Sequence, residues 1–306
     1  MSAKIIAIGD LNLDVLSTTG KMPELGEEAH IEKITYSIGG NAANFVVAAA
    51  KIGMRAELIS AIGEDHVTQF LLGELKKNSV KGTLYKSRKI NGCSLVFVNE
   101  KGRRRILSNK GALEDLGLKW VEEELCRKLN GKQLVYFGGW QHLLGLHNGF
   151  VPFLKRLKEK NCLIAFDVTF DEYGNWEKML PLLKHIDLLF LNEIELLKLT
   201  TKKKMNDGLK ALAKKGSGII ILKRGRNGAV VYTDKIIREP ATKNRAKDST
   251  GAGDVFNAAF LIAYLKNLPL KKCLRFGNWV AGEKVRHHGI VLPEKGKIKK
   301  FLKNLI

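Results

Sequence analysis

The segment Asp248-Ser249-Thr250-Gly251-Ala252-Gly253-Asp254 sets three small residues and a carboxylate against an apolar run, Val255 to Leu265. The run has helical length, so the small residues stand at a helix N-terminus. Bare backbone N–H groups and the helix dipole attract an anion there. A first-turn carboxylate does not help to hold a phosphate, but it is well placed to take a proton from a hydroxyl beside one. The combination points to phosphoryl transfer to an alcohol. Asp254 is then the base, and the amides of Gly251, Ala252, Gly253 and Asp254 stabilise transition-state charge. The plainer alternative is an Asp favoured by the helix dipole after an ordinary Gly turn. A P-loop and the protein-kinase motif set are both missing from the chain.

A second cluster, Gly39-Gly40-Asn41-Ala42-Ala43-Asn44, leads into the apolar stretch Phe45 to Ile52 and stops at Gly53. Paired glycines let backbone approach a ligand, and asparagines both donate to and accept from hydroxyl groups. A loop with Asn41 as a helix cap explains the same residues without a ligand.

The elements that must carry these groups are readable from periodicity. Continuous apolar runs predict strands at 4–9, 57–62, 133–137, 162–167, 187–191 and 218–223. Helical patterns fall at 42–52, 67–77, 118–129, 150–160 and 206–215. This alternation predicts an α/β fold, a parallel sheet with helices on both faces. Residues 13–37 and 84–108 break the rhythm and read as β-hairpin material, a small flap able to exclude water from a reaction. A further hairpin is expected at 228–238, with mostly helix after Gly253. Ile298, Phe301, Leu302 and Leu305 repeat at helical spacing, so the terminal lysines ride the wet face of a docked helix. Without an internal repeat or a long linker, residues 1–306 read as one domain.

The two clusters, their order and their spacing resemble the two signatures of the ribokinase/PfkB carbohydrate kinase family, and the α/β pattern is compatible over the whole chain. The resemblance implies a ribokinase-like three-layer α/β/α sandwich with a mostly parallel sheet and a β-sheet lid. It implies a kinase moving phosphoryl from ATP–Mg2+ (or ADP, used by some relatives) to a sugar or sugar-like alcohol. Gly9-Asp10-Leu11-Asn12-Leu13-Asp14 resembles the family's opening motif, so Asp14, with Asn12, Gly40, Asn41 and Asn44, is implied to bind the acceptor. Asn192-Glu193-Ile194-Glu195 matches its N-x-x-E element, which implies that Asn192 and Glu195 organise water-bound Mg2+. Lys223, Gly225 and Gly228 match a turn against the nucleotide, as do Gly251 and Gly253. Asn278 takes the place of an Asn near adenine or ribose. Asp248 and Thr250 match positions that hold a monovalent cation such as K+ in some members, with carbonyls from a loop like His287-His288-Gly289.

Departures weigh against ribose as acceptor. Asn41-Ala42 stands where ribokinase has a Lys-Gly pattern, and Phe137-Gly138-Gly139-Trp140-Gln141 lacks the acid expected after the central strand. A nucleoside is the rival acceptor, with Tyr36, Tyr85 and Phe97 on the flap able to stack on a base. A sugar phosphate is a third, resting on Arg103-Arg104-Arg105. Alternation sends Arg103 and Arg105 to one face and Arg104 to the other; Arg105 is taken as the substrate contact. Charge on a solvated flap edge is the competing account of these arginines. The resemblance also implies pairing of two copies through the lid.

The chain has 306 residues, 52 basic against 31 acidic side chains and a net charge of +21. Such a balance suits a polyanion partner. Yet the basic residues are spread out, none forms a run of five, and no aromatics interleave with them, which argues against nucleic-acid binding. The apolar fraction excludes disorder. Four scattered cysteines predict neither disulfide framework nor zinc site. The first apolar run is too short for a signal sequence and no stretch reaches membrane-spanning length, so a soluble, reduced, cytoplasmic protein is expected.

Overall fold

The structure, a computed structural model, describes residues 5–18, 22–31, 33–99, 104–129, 133–171 and 174–306. Lys4, Gly20, Arg103 and the turn residues 100–102 lie outside the described residues. In chain order the strands are β1 (Ile5–Gly9), β2 (Asn12–Thr18), β3 (Lys33–Gly39), β4 (Ala56–Ile62), β5 (Lys81–Lys86), β6 (Gly92–Val98) and β7 (Arg104–Asn109). They continue with β8 (Leu134–Gly138), β9 (Leu163–Asp167), β10 (Leu188–Asn192), β11 (Ile219–Lys223), β12 (Ala229–Tyr232) and β13 (Ile236–Glu239).

Nine strands form one sheet in the order β13-β12-β11-β10-β9-β8-β1-β4-β5. Pairing from β11 to β5 is parallel, and β12 and β13 join antiparallel. Every residue of β1 and β4 is buried, because helices cover both faces of the sheet. Helices Asn41–Ile52, Ala252–Leu265, Leu270–Lys284 and Lys295–Lys303 build the apolar layer on one face. Leu118–Cys126, Phe150–Glu159, Glu193–Thr200 and Met205–Lys214 build it on the other. The terminal helix docks through Ile298 and Leu302, and Phe301 stacks on Trp279 with centroids 4.1 Å apart. Its lysines are exposed, as the spacing predicts.

The second sheet has four strands in the order β3-β2-β6-β7. The hairpins β2–β3 and β6–β7 are antiparallel, and β2 joins them by pairing parallel to β6. The flap is therefore present, but its second segment begins at Gly92. Residues 84–86 belong to β5, which pairs parallel to β4 at the edge of the large sheet. That strand carries an exposed lysine at each end and is nowhere fully buried, so it lacks the continuous apolar run of the inner strands. Tyr85 consequently sits off the flap, edge-on to Trp120 with centroids 5.5 Å apart.

Candidate active site

Asp10 follows β1, Asp167 ends β9, Asn192 ends β10 and Lys223 ends β11. Polar groups thus collect at the carboxyl edge of the parallel strands, where open α/β sheets bind ligands. The N-terminal turns of Asn41–Ile52 and Ala252–Leu265 open on the same cleft, which has a volume of about 610 Å3. Gly40 makes the first approach: its φ is 96°, and an added Cβ would lie 2.4 Å from the Asp10 carbonyl. Gly251 caps the second helix in the left-handed region at φ 73°, and a Cβ there would lie 2.6 Å from Ile290 Cδ1. Asp254 falls in that helix's first turn, beside amides that lack a helical acceptor. Asn44 Nδ2 donates to Asp254 Oδ2 at 3.2 Å, joining the two clusters.

The lid supplies the opposite wall. Alternation along β2, β6 and β7 aims Asn12, Asp14, Ser94, Val96, Arg104 and Ile106 into the cleft. Asn12 Oδ1 and Thr169 Oγ1 are buried there without a partner. Arg104 Nη1 lies 3.4 Å from Thr250 Oγ1. The register corrects one expectation: Arg105 pairs opposite Phe97 and points to the outer face, so among the described residues the lid arginine that reaches the cleft is Arg104. Tyr36, opposite Val15, and Phe97 also point outward, so neither offers a base a surface in the cleft. Phe170 does; it lines the cleft and is 54% exposed.

A second cavity of about 610 Å3 adjoins the first at Lys223, Gly225 and the Ala252–Gly253 turn. It contains Gly228, Thr242, Phe256 and Asn278. Asn278 Nδ2 donates to the Glu239 and Pro240 carbonyls, both at 3.0 Å, and so fixes the far wall.

Burial dominates the electrostatics. It raises the Asp254 carboxyl well above the carboxylate range, Asp167 adds to the effect, and Lys223 and Asn44 oppose it. Asp14 is pushed up to about 7 by burial, then by Asp10 and Asp248. Glu195 rises to about 8 by burial, against the pull of Lys223. Burial opposes the Lys223 ammonium, but Asp167, at 2.5 Å, and Glu195 outweigh it and raise its pKa. Beneath this pair Asn257 donates to the Tyr136 hydroxyl at 3.1 Å, which lies 3.4 Å from Asp167.

Two metal expectations can be tested on these donors. Asn192 and Glu195 form a reciprocal helix cap, with Asn192 N to Glu195 Oε2 at 2.7 Å and Asn192 Nδ2 to Glu195 Oε1 at 2.6 Å. Each carboxylate oxygen keeps a free lone pair, and a carboxylate is the kind of hard oxygen ligand that fits a hydrated Mg2+, which takes few protein ligands. The monovalent-cation expectation does not fit. Asp248 Oδ1 accepts from Thr250 N at 2.8 Å, and its Oδ2 accepts from Gly289 N at 3.2 Å. Lys284 Nζ, fully buried, donates to both the Asp248 carbonyl and Oδ2 at 3.0 Å. Burial works against ionised Asp248, but Lys284 and the Thr250 bonds hold its pKa below the ordinary value.

The cleft thus gathers Asn12, Asp14, Gly40, Asn41, Asn44, Asn192, Glu195, Lys223, Gly225 and the 250–254 turn. Gly228 and Asn278 lie in the adjoining cavity, and Arg105 in neither. The pattern of pfkB family carbohydrate kinases matches residues 2–295. The chain belongs to the pfkB family of carbohydrate kinases. It is 28% identical to a nucleoside kinase of Methanocaldococcus jannaschii, with 88% of this chain and 86% of that protein covered. It is 26% identical to a ribokinase of Lactococcus lactis, with 99% and 98% covered. The solved ribokinase of Thermotoga maritima superposes with a TM-score of 0.82 at 23% identity, covering 99% of this chain and all of that one. This pfkB-family kinase is therefore a phosphotransferase with a small-molecule hydroxyl as acceptor. No helix among its described residues is long and apolar enough to cross a membrane.

Sequence reasoning missed several residues of the cleft. Asp167 carries a signal, a carboxylate at the end of a buried strand, and His142 a weaker one, a polar residue in the short turn that follows another. Phe170 carries none, and neither does Lys284, buried outside the cleft against Asp248, since an aromatic in a loop and a lysine in a helix are ordinary.

Proposed function

We propose that this kinase transfers the terminal phosphoryl group of ATP–Mg2+ to a hydroxyl of a sugar or sugar-like alcohol, with Asp254 as general base. The observation that carries this reading is the position of Asp254: its carboxylate lines the cleft at a helix N-terminus, directly after the Ala252–Gly253 turn that borders both cavities. The acceptor enters under the lid, where Asp14, Asn12 and Asn44 orient its hydroxyls; the unpartnered Asn12 Oδ1 is an acceptor waiting for such a donor. The nucleotide lies in the adjoining cavity, past Gly225 and Gly228, with Asn278 on its wall. Asp254 takes the hydroxyl proton while the amides of Gly251 and Gly253 receive the developing phosphate charge, with that of Ala252 shared between the phosphate and the Ser249 carbonyl it bonds at 3.2 Å. Lys223, held by Asp167, adds a fixed positive charge at the same junction. Mg2+, organised by Asn192 and Glu195, supplies neutralisation of phosphate charge when bound. The test is a phosphotransfer screen of sugars, nucleosides and sugar phosphates, each with ATP and with ADP as donor.

A nucleoside acceptor is the second reading, favoured by Phe170, an aromatic surface in the cleft suited to a base, with Val96 and Ile106 contributed by the lid. Two copies pair through the outer face of the lid, which exposes Tyr36, Leu95 and Leu107. The protein acts in the cytoplasm on small anions, and nucleic acid is not its partner.

A further inference from the structure

The buried ammonium of Lys284 stands against the group that the family resemblance would give to a monovalent cation. We infer that this kinase carries its own monovalent cation, the Lys284 ammonium bound to the carbonyl and carboxylate of Asp248, and needs no added K+. The inference rests on the kinase reading of the site, since it concerns the turn that leads into the Asp254 helix.

Asp248 offers a carbonyl and two carboxylate oxygens, the hard ligands a potassium ion would take. Both carboxylate oxygens and the carbonyl are already engaged, by Thr250 N, Gly289 N and Lys284 Nζ. The crevice bounded by Asp248, Thr250, His288 and Gly289 has only about 10 Å3 of room, scarcely one water. An ammonium on a tether supplies the same single charge, and it donates directional hydrogen bonds to these oxygens. A lysine with no exposed surface is costly unless paired, so its place beside Asp248 is a specific arrangement rather than a surface residue folded inward.

The consequence reaches the anion turn. Lys284 ends the helix Leu270–Lys284, and Asp248 opens the turn that Gly251 closes before the helix of Asp254. Lys247 N and Asp248 N both bond to the Val285 carbonyl, at 2.7 and 3.1 Å, so the two segments are stitched side by side. The tethered charge fixes Asp248, Asp248 fixes Thr250, and the Gly251–Asp254 amides follow. Lys284 is thus a positioning residue: it touches neither acceptor nor nucleotide.

The test compares KCl, NaCl and tetramethylammonium chloride at equal ionic strength, with two readouts. The first is phosphotransfer by wild type and by Lys284→Met. The second is the thermal midpoint of the unliganded proteins, which does not require the acceptor to be known. Wild type should show the same kcat and the same midpoint in all three salts. Lys284→Met should lose about 10–100-fold in kcat in tetramethylammonium, the usual cost of losing a second-layer partner. K+ should restore part of that kcat and raise the variant's midpoint, because the Asp248 oxygens are left without their cation. Activation or thermal stabilisation of wild type by K+ over tetramethylammonium would overturn the inference, and so would a Lys284→Met protein indifferent to all three cations. If Lys284→Met does not fold, Lys284→Arg and the wild-type salt series decide. A protein with no phosphotransfer but a cation-indifferent midpoint would sink the kinase reading and leave the cation assignment standing.

Discussion

Asn44 and Asp254, 210 residues apart in the chain, meet at 3.2 Å through a hydrogen bond from the amide to the carboxylate. The bond fastens the start of one helix to the first turn of another, so the acceptor cluster and the anion turn are fixed relative to each other. It also favours the ionised form of Asp254, partly offsetting the burial and the Asp167 charge that raise its pKa. Asn44 therefore holds the base both in place and in its useful protonation state.

Asn44→Ala should remove that support. Losing a donor to the charged form raises the Asp254 pKa further, so the acid limb of the kcat/KM profile, which reports the free enzyme, should move to higher pH. At neutral pH the rate should fall by about tenfold for each unit by which the limb then lies above the assay pH. A profile superposable on wild type would show that the bond does not tune the base.

Asp14 gives a stability prediction with a definite sign. Its folded-state pKa of about 7 lies above the ordinary 3.8, so between the two the folded protein holds a proton that the unfolded chain releases. This contribution is complete below the ordinary value and is lost as pH rises through about 7. Asp14→Asn should therefore raise the thermal midpoint of the unliganded protein near pH 8, by the equivalent of a few kcal/mol, and by less than half as much near pH 5. It should also weaken acceptor binding. Equal midpoint differences at both pH values would contradict the assignment.

The lid arginines divide by register. Arg104→Ala should raise KM for an anionic acceptor, by about 10–100-fold if a charge-assisted contact of about 1.5–3 kcal/mol is lost. Arg105→Ala, on the outer face, should leave KM unchanged. Steady-state kinetics on both variants with one phosphorylated and one neutral acceptor separates the two; a larger effect from Arg105 would mean that the lid is read on the wrong face.

The same pair of arginines shows where the sequence stops being legible. The inner strands could be read directly, because a run such as Ile5-Ile6-Ala7-Ile8 has one explanation, burial on both faces. Asp254 and Asn44 could be read because small residues before an apolar helix leave few uses for a carboxylate or an amide. Alternation separates Arg104 from Arg105, but only the pairing of β7 with β6 says which one faces the cleft. The strand Lys81–Lys86 was concealed by its edge position, where lysines at both ends look like a solvent-exposed ribbon. Lys284 was concealed for a deeper reason: a helical lysine is normally at the surface, and only the packing of its helix against the Asp248 turn removes it from water.

The most direct measurement is the turnover of Asp254→Asn on the acceptor that the wild type phosphorylates, set beside its nucleotide affinity. The amide keeps the shape of the side chain and cannot accept the hydroxyl proton, so kcat should fall by about 10²–10⁴-fold while nucleotide binding persists. A variant that binds nucleotide and turns over at the wild-type rate would contradict the central claim.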